Sequence, residues 1–130
     1  MPLVTGIKHK NTMIIDEPKT AIAAKSGTLP VFATPYVAAL MEQTAEESVR
    51  PYIEEGQATV GTKLILNHTA ATVVGKEVSC ESELIEIDRR RLVFRVTVSD
   101  GAGQVADCEH ERFVIDIEKF MAKAKERGED

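Results

Sequence analysis

The chain has 130 residues, of which 43% are hydrophobic and 28% charged, with a formal net charge of −5; this is the size and balance of one globular domain over residues 1–130. The acidic balance excludes non-specific nucleic-acid binding, which depends on clustered Lys and Arg. No apolar run approaches the length of a bilayer span and the N-terminus lacks a basic-then-apolar secretory pattern, so a cytoplasmic protein without a membrane partner is expected.

In chain order, Gly6 to Asp16 reads as a first strand ending in Met13, Ile14 and Ile15, and Glu17-Pro18 closes it. Thr20 to Pro30 is small and polar, with Ser26-Gly27-Thr28 as turn material, and is expected to be a loop. Thr34-Pro35 then starts a long helix. The Thr34 hydroxyl is placed to cap the first turn, and Pro35 at the first helical position loses no hydrogen bond. Val37, Leu40, Met41, Thr44, Ala45, Ser48, Val49 and Tyr52 recur at three and four, the stripe of a helix with one buried face. Pro51 ends it at or before Arg50. Glu42 borders the stripe beside Ala38 and Ala39, either as an ordinary edge charge or as a carboxylate held near a cleft.

Everything after Gly56 reads as sheet. From Ala58 to Ala70 the even positions Val60, Thr62, Leu64, Leu66 and His68 share one face, and the odd ones the other. Gly75-Lys76 turns into a strand over Val78–Ile87, Asp88-Arg89-Arg90 turns again, and Leu92–Ser99 returns with Leu92, Phe94, Val96 and Val98 together. After Asp100-Gly101-Ala102-Gly103, Gln104–Ile117 is the last strand, followed by a polar terminal helix or tail to Arg127. Cys80 and Cys108 fall inside strands without CxxC spacing, so buried free thiols are expected and no metal site. One long striped helix among antiparallel strands implies an α+β fold whose sheet wraps the helix; this matches the hotdog architecture, although element order alone also allows other α+β meanders.

If the even face of the His68 strand packs on the helix, His68 approaches the half that carries Thr34 and Glu42. A hydroxyl, a carboxylate and an imidazole are the groups used to activate a nucleophile or a water. The competing reading is a core histidine bonded to Asn67 or Thr69. His9 lies in a polar lead-in. His110, on the face of Ala106, Cys108, Arg112 and Val114, lines a cleft or pairs with a carboxylate. Arg89-Arg90-Arg91 reads as solvated turn charge, or as a phosphate patch joined by Lys63 or Arg112. There is no GxGxxG, Gly-rich phosphate loop, GxSxG or HExxH, which sets aside Rossmann dehydrogenases, nucleotide hydrolases and zincins.

The segments Val31-Phe32-Ala33-Thr34, Leu40-Met41-Glu42, Val60-Gly61-Thr62, His68-Thr69-Ala70-Ala71-Thr72 and His110-Glu111-Arg112, continuing into Val114-Ile115 and Glu118-Lys119-Phe120, resemble the fluoroacetyl-CoA thioesterase family of hotdog proteins from about Val31 onward. The resemblance implies a catalytic set of Thr34, Glu42 and His68, with Gly61, Arg112 and Phe32 on the substrate. It also implies a CoA thioester as substrate with no cofactor, and a homodimer whose sites lie at the subunit boundary. The family's phenylalanine-rich lid is replaced by Lys25-Ser26-Gly27-Thr28-Leu29-Pro30, without an aromatic until Phe32. Thioester hydrolysis therefore follows from the resemblance, and selectivity for a fluorinated acyl group does not. The alternatives are a non-catalytic hotdog module that binds acyl-CoA or a related ligand, and a purely structural dimer.

Overall fold

A computed structural model describes residues 2–128. Five strands, β1 (Lys8–Ile14), β2 (Gln57–His68), β3 (Glu77–Asp88), β4 (Arg91–Asp100) and β5 (Gly103–Asp116), form one antiparallel sheet in the order β1-β3-β4-β5-β2. Helix α2 (Thr34–Val49) lies across its concave face, preceded by the single turn α1 (Ala21–Ala24) and followed at the end of the chain by α3 (Ile117–Arg127). No helix among the described residues is long and apolar enough to cross a membrane.

The predicted helical stripe is the buried face of α2: Val37, Leu40, Met41, Thr44, Ala45, Ser48 and Val49 are all buried, while Tyr52 sits half-exposed in a 3-10 turn beyond the helix. These side chains meet Val78, Cys80 and Leu84 of β3 and Leu92, Phe94, Val96 and Val98 of β4 in one core. Thr44 is tolerated there because its hydroxyl donates back to the Leu40 carbonyl at 2.8 Å, and Ser48 does the same to Ala45 at 2.6 Å. Cys80 and Cys108 are buried free thiols, and burial pushes them up to about 11 and about 12.

Four expectations need correction. The first strand is shorter than Gly6–Asp16. The stretch from Thr20 to Pro30 is not plain loop: the Thr20 hydroxyl accepts from the Ala23 N–H at 3.3 Å and starts α1, which Lys25 ends in the left-handed region at φ 59°. Thr34 is not the cap of α2. Ala33 holds that position, Thr34 and Pro35 are the first two helical residues, and the Thr34 hydroxyl is turned elsewhere.

The fourth concerns β2. Gly61 pairs with Arg112 but Lys63 pairs with Glu111, so Thr62 is an extra residue in a β-bulge. Before the bulge the odd residues Thr59 and Gly61 face the helix, and after it the even residues Leu64, Leu66 and His68 do. Val60 and Thr62 therefore do not share the face of His68. An unbroken alternation would have put either Gly61 or His68 on the outside.

Candidate functional site

The helix-facing side of β2 carries two polar clusters. In the first, Thr34 Oγ1 and His68 Nδ1 are 2.8 Å apart. The first turn of α2 supplies the hydroxyl and the last residue of β2 the imidazole. Val31, Phe32, Ala70 and Ala71 help to line the shallow cleft in front of the pair. Nε2 of His68 is buried and has no hydrogen-bond partner among the described residues. Burial holds this imidazole below its ordinary range, the nearby Ala70 backbone opposing in part. It is therefore neutral at pH 7, with a ring able to exchange protons. Phe32 is 1% exposed and belongs as much to the core as to the cleft wall.

The second cluster is built around Gly61. A Cβ there would lie 2.5 Å from Glu42 Oε2, 3.2 Å from His110 Cε1 and 3.4 Å from Arg112 Nη1, so a hydrogen at this position is what lets the carboxylate reach the strand. Arg112 donates from Nε to the Thr59 hydroxyl and from Nη2 to the Thr59 carbonyl, each at 2.9 Å. Its Nη1 lies 3.1 Å from His110 Nε2 and 3.6 Å from Glu42 Oε2. The guanidinium side chain is only 7% exposed, while that of Glu42 is 46% exposed. A buried cation thus faces a carboxylate that remains open to the outside.

Within one chain the expected three-group convergence does not occur. Thr34 and His68 are together, and Glu42 is with Gly61 and Arg112. Eight residues of helix separate Thr34 from Glu42, about 12 Å at 1.5 Å per residue. The other basic residues singled out in the sequence lie beside carboxylates. Arg89 is at the hairpin turn beside Asp88, Arg90 is near Asp116, and Arg91 lies between Glu86 and Glu111. Lys63 is 3.8 Å from Glu111 and His9 is bonded to Glu47 at 3.1 Å. Thr59 and the partnership of His110 with Arg112 were missed in the sequence. The parity of β2 placed Thr59 on the outer face, and only the bulge reverses that.

One long helix cradled by an antiparallel five-stranded sheet, with a hydroxyl–imidazole pair at a cleft beside the helix N-terminus, defines a hotdog-fold protein of the thioesterase superfamily. Consistent with this, residues 15–118 match the model of the fluoroacetyl-CoA-specific thioesterase family. The chain belongs to that family. It is 40% identical over 97 residues to the fluoroacetyl-CoA thioesterase of Streptantibioticus cattleyicolor, covering 75% of this chain and 70% of the relative. A solved fluoroacetyl-CoA thioesterase structure superposes with a TM-score of 0.92 at 32% identity, over 97% of this chain and 98% of that one. A variant of that type of enzyme in complex with acetyl-CoA gives 0.91 at 31% identity, over 96% and 98%. A thioesterase-superfamily protein from Thermus thermophilus shares the fold, with a TM-score of 0.89 at 22% identity over 98% and 97% of the two chains.

Proposed function

We propose that this thioester hydrolase cleaves the CoA thioester of a small acyl group to a carboxylate and free CoA, using Thr34, His68 and Glu42. The observation that carries the reading is the 2.8 Å contact between Thr34 Oγ1 and His68 Nδ1 at the cleft, with Nε2 buried and unpartnered among the described residues. His68, neutral through burial, accepts the Thr34 proton as the hydroxyl attacks the thioester carbonyl, and returns a proton to the departing thiolate. Glu42 then acts as base on the water that releases the acyl group from Thr34, and the proton it takes passes back to the departing Thr34 oxygen.

The carbonyl oxygen becomes negative during attack. Tyr36 and Val37 already donate to the Ala33 carbonyl and Pro35 has no N–H, which leaves the Thr34 N–H as the first-turn donor. It points with the positive end of the α2 dipole, the kind of group that stabilises an oxyanion. Phe32, Gly61 and Arg112 shape the substrate side of the site. The wall of Val31, Phe32, Ala70 and Ala71 leaves a shallow, open cleft, in keeping with a short acyl chain.

The distance between Glu42 and His68 in one chain is reconciled by a homodimer. β2 is an edge strand, paired only with β5. Antiparallel pairing of two β2 strands about a twofold axis at Ile65, with Thr62 bulged out of register, sets Gly61 of one copy opposite His68 of the other. Glu42 of one chain then joins Thr34 and His68 of the second. We take the whole chain as one domain of a cytoplasmic enzyme with no resident cofactor.

The test is a panel of short acyl-CoA esters read by release of free thiol. Glu42→Gln and His68→Ala are each expected to lower kcat by about 10²-fold or more. Wild-type turnover by both variants overturns the mechanism. Binding of acyl-CoA, seen as a thermal shift, with no thiol released by the wild type overturns the hydrolase in favour of a binding module.

A further inference from the structure

His110 is 1% exposed and both of its ring nitrogens are engaged. Nδ1 lies 2.8 Å from the Lys63 carbonyl. A carbonyl only accepts, so Nδ1 carries the hydrogen. Nε2 lies 3.1 Å from Arg112 Nη1. A guanidinium only donates, so Nε2 is bare. The ring is thereby held as one neutral tautomer, and a second proton would set two donors against each other beside a buried cation. The ring presents Cε1, not a nitrogen, towards Gly61, so it has no atom with which to handle a proton of the substrate.

Each nitrogen does a different thing. The Nδ1–H ties β5 to the residue that follows the bulge in β2, and so supports the change of parity there. The Nε2 lone pair holds the one guanidinium nitrogen that also faces Glu42; the other two donate to Thr59. Without that lone pair, Nη1 keeps a single neighbour, a half-exposed carboxylate at 3.6 Å.

We propose that His110 is a positioning residue of the hydrolase: its Nε2 lone pair orients Arg112, and Arg112 in turn presents the Glu42 carboxylate across Gly61. The proposal rests on the role given to Glu42 above. It predicts that the two nitrogens are separable, because an asparagine amide reaches the position of Nδ1 and a glutamine amide reaches that of Nε2. His110→Asn keeps a donor for the Lys63 carbonyl and loses the acceptor for Arg112. His110→Gln keeps the acceptor and loses the donor.

Steady-state kinetics with acetyl-CoA, together with thermal melts, decide it. His110→Asn is expected to lower kcat at least about 10-fold with KM little changed, as for a misplaced catalytic group, while keeping most of its thermal stability. His110→Gln is expected to recover most of kcat at a lower melting temperature. An unimpaired His110→Asn, or a His110→Gln as impaired as His110→Asn, overturns the proposal. If either variant fails to fold, ring ¹⁵N spectra of the wild type serve instead. A hydrogen on Nδ1 and a bare Nε2 at neutral pH support it, and an Nε2–H or imidazolium form overturns it. A wild type that releases no thiol from any acyl-CoA ester removes the hydrolase reading itself, an outcome distinct from an active wild type with an unimpaired His110→Asn.

Discussion

Gly61 is not in a left-handed conformation, so any residue fits its backbone and the glycine is required only by what stands against it. Gly61→Ala puts a methyl 2.5 Å from Glu42 Oε2, and the half-exposed carboxylate is the group free to move. The expected result is a fall in kcat of about 10²-fold for a displacement of about 1 Å, with little change in melting temperature, measured by thiol release and calorimetry. His68 sets a second expectation. Burial lowers its pKa, so the neutral, proton-accepting ring persists below the ordinary histidine value of about 6.5. The acid limb of kcat/KM is therefore expected to lie below that value. Stability moves with it. As pH falls from about 6.5, the unfolded chain takes up the His68 proton before the folded one does, so folding free energy is lost down to the lower folded-state pKa. His110 is shifted the same way, chiefly by burial, and adds to the loss. A pH series of melting temperatures checks the sign.

At the scale of elements, the bulge in β2 decides which side chains meet α2. Thr62 itself contributes little: its hydroxyl donates to the Glu111 carbonyl at 3.2 Å on an exposed strand. Thr62→Ala is expected to cost under about 1 kcal/mol. Deletion of Thr62 tests the bulge itself. It joins Gly61 directly to Lys63, whose partners Arg112 and Glu111 are consecutive, so Thr59, Gly61, Leu64, Leu66 and His68 all keep the helix-facing side of an unbroken strand. A melting temperature close to that of the wild type is expected for both variants, checked by calorimetry. Helix α2 carries a comparable division of labour. Its buried stripe anchors it to the sheet, while Thr34 and Glu42 stand off that stripe at its two polar stations.

At the scale of the whole molecule, the two clusters become one site only if two copies share it. In the proposed homodimer, Glu42→Gln and His68→Ala are each expected to inactivate every site of the pure variant. Mixed under conditions that exchange subunits, they form heterodimers in which one site carries both lesions and the other carries none. Recovery of activity towards about a quarter of the wild type is expected, since half the dimers at equal mixing are heterodimers and half their sites are intact. Mixtures as inactive as the separate variants would place all three groups of a site in one chain. Size-exclusion chromatography with light scattering gives the stoichiometry independently.

Much of the fold was legible in the sequence because it rests on periodicity. The stripe from Val37 to Val49, the stop before Pro51, the turns at Gly75-Lys76 and Asp100–Gly103, and the inward set Leu92, Phe94, Val96 and Val98 are local patterns that the packed protein keeps. Thr34, Glu42 and His68 stood out as candidates from their places in the family segments. Their arrangement was not legible. A bulge adds one residue to a strand without any mark that alternation alone reveals, and it reversed Thr59, Val60 and Thr62. Thr34 followed by Pro35 carries the signature of a cap, but a hydroxyl has one proton and a few lone pairs, and the imidazole at the end of β2 engages it instead. Which of two local partners a polar group takes is settled by what the far side of the sheet brings within about 3 Å. Only the tertiary structure decides that.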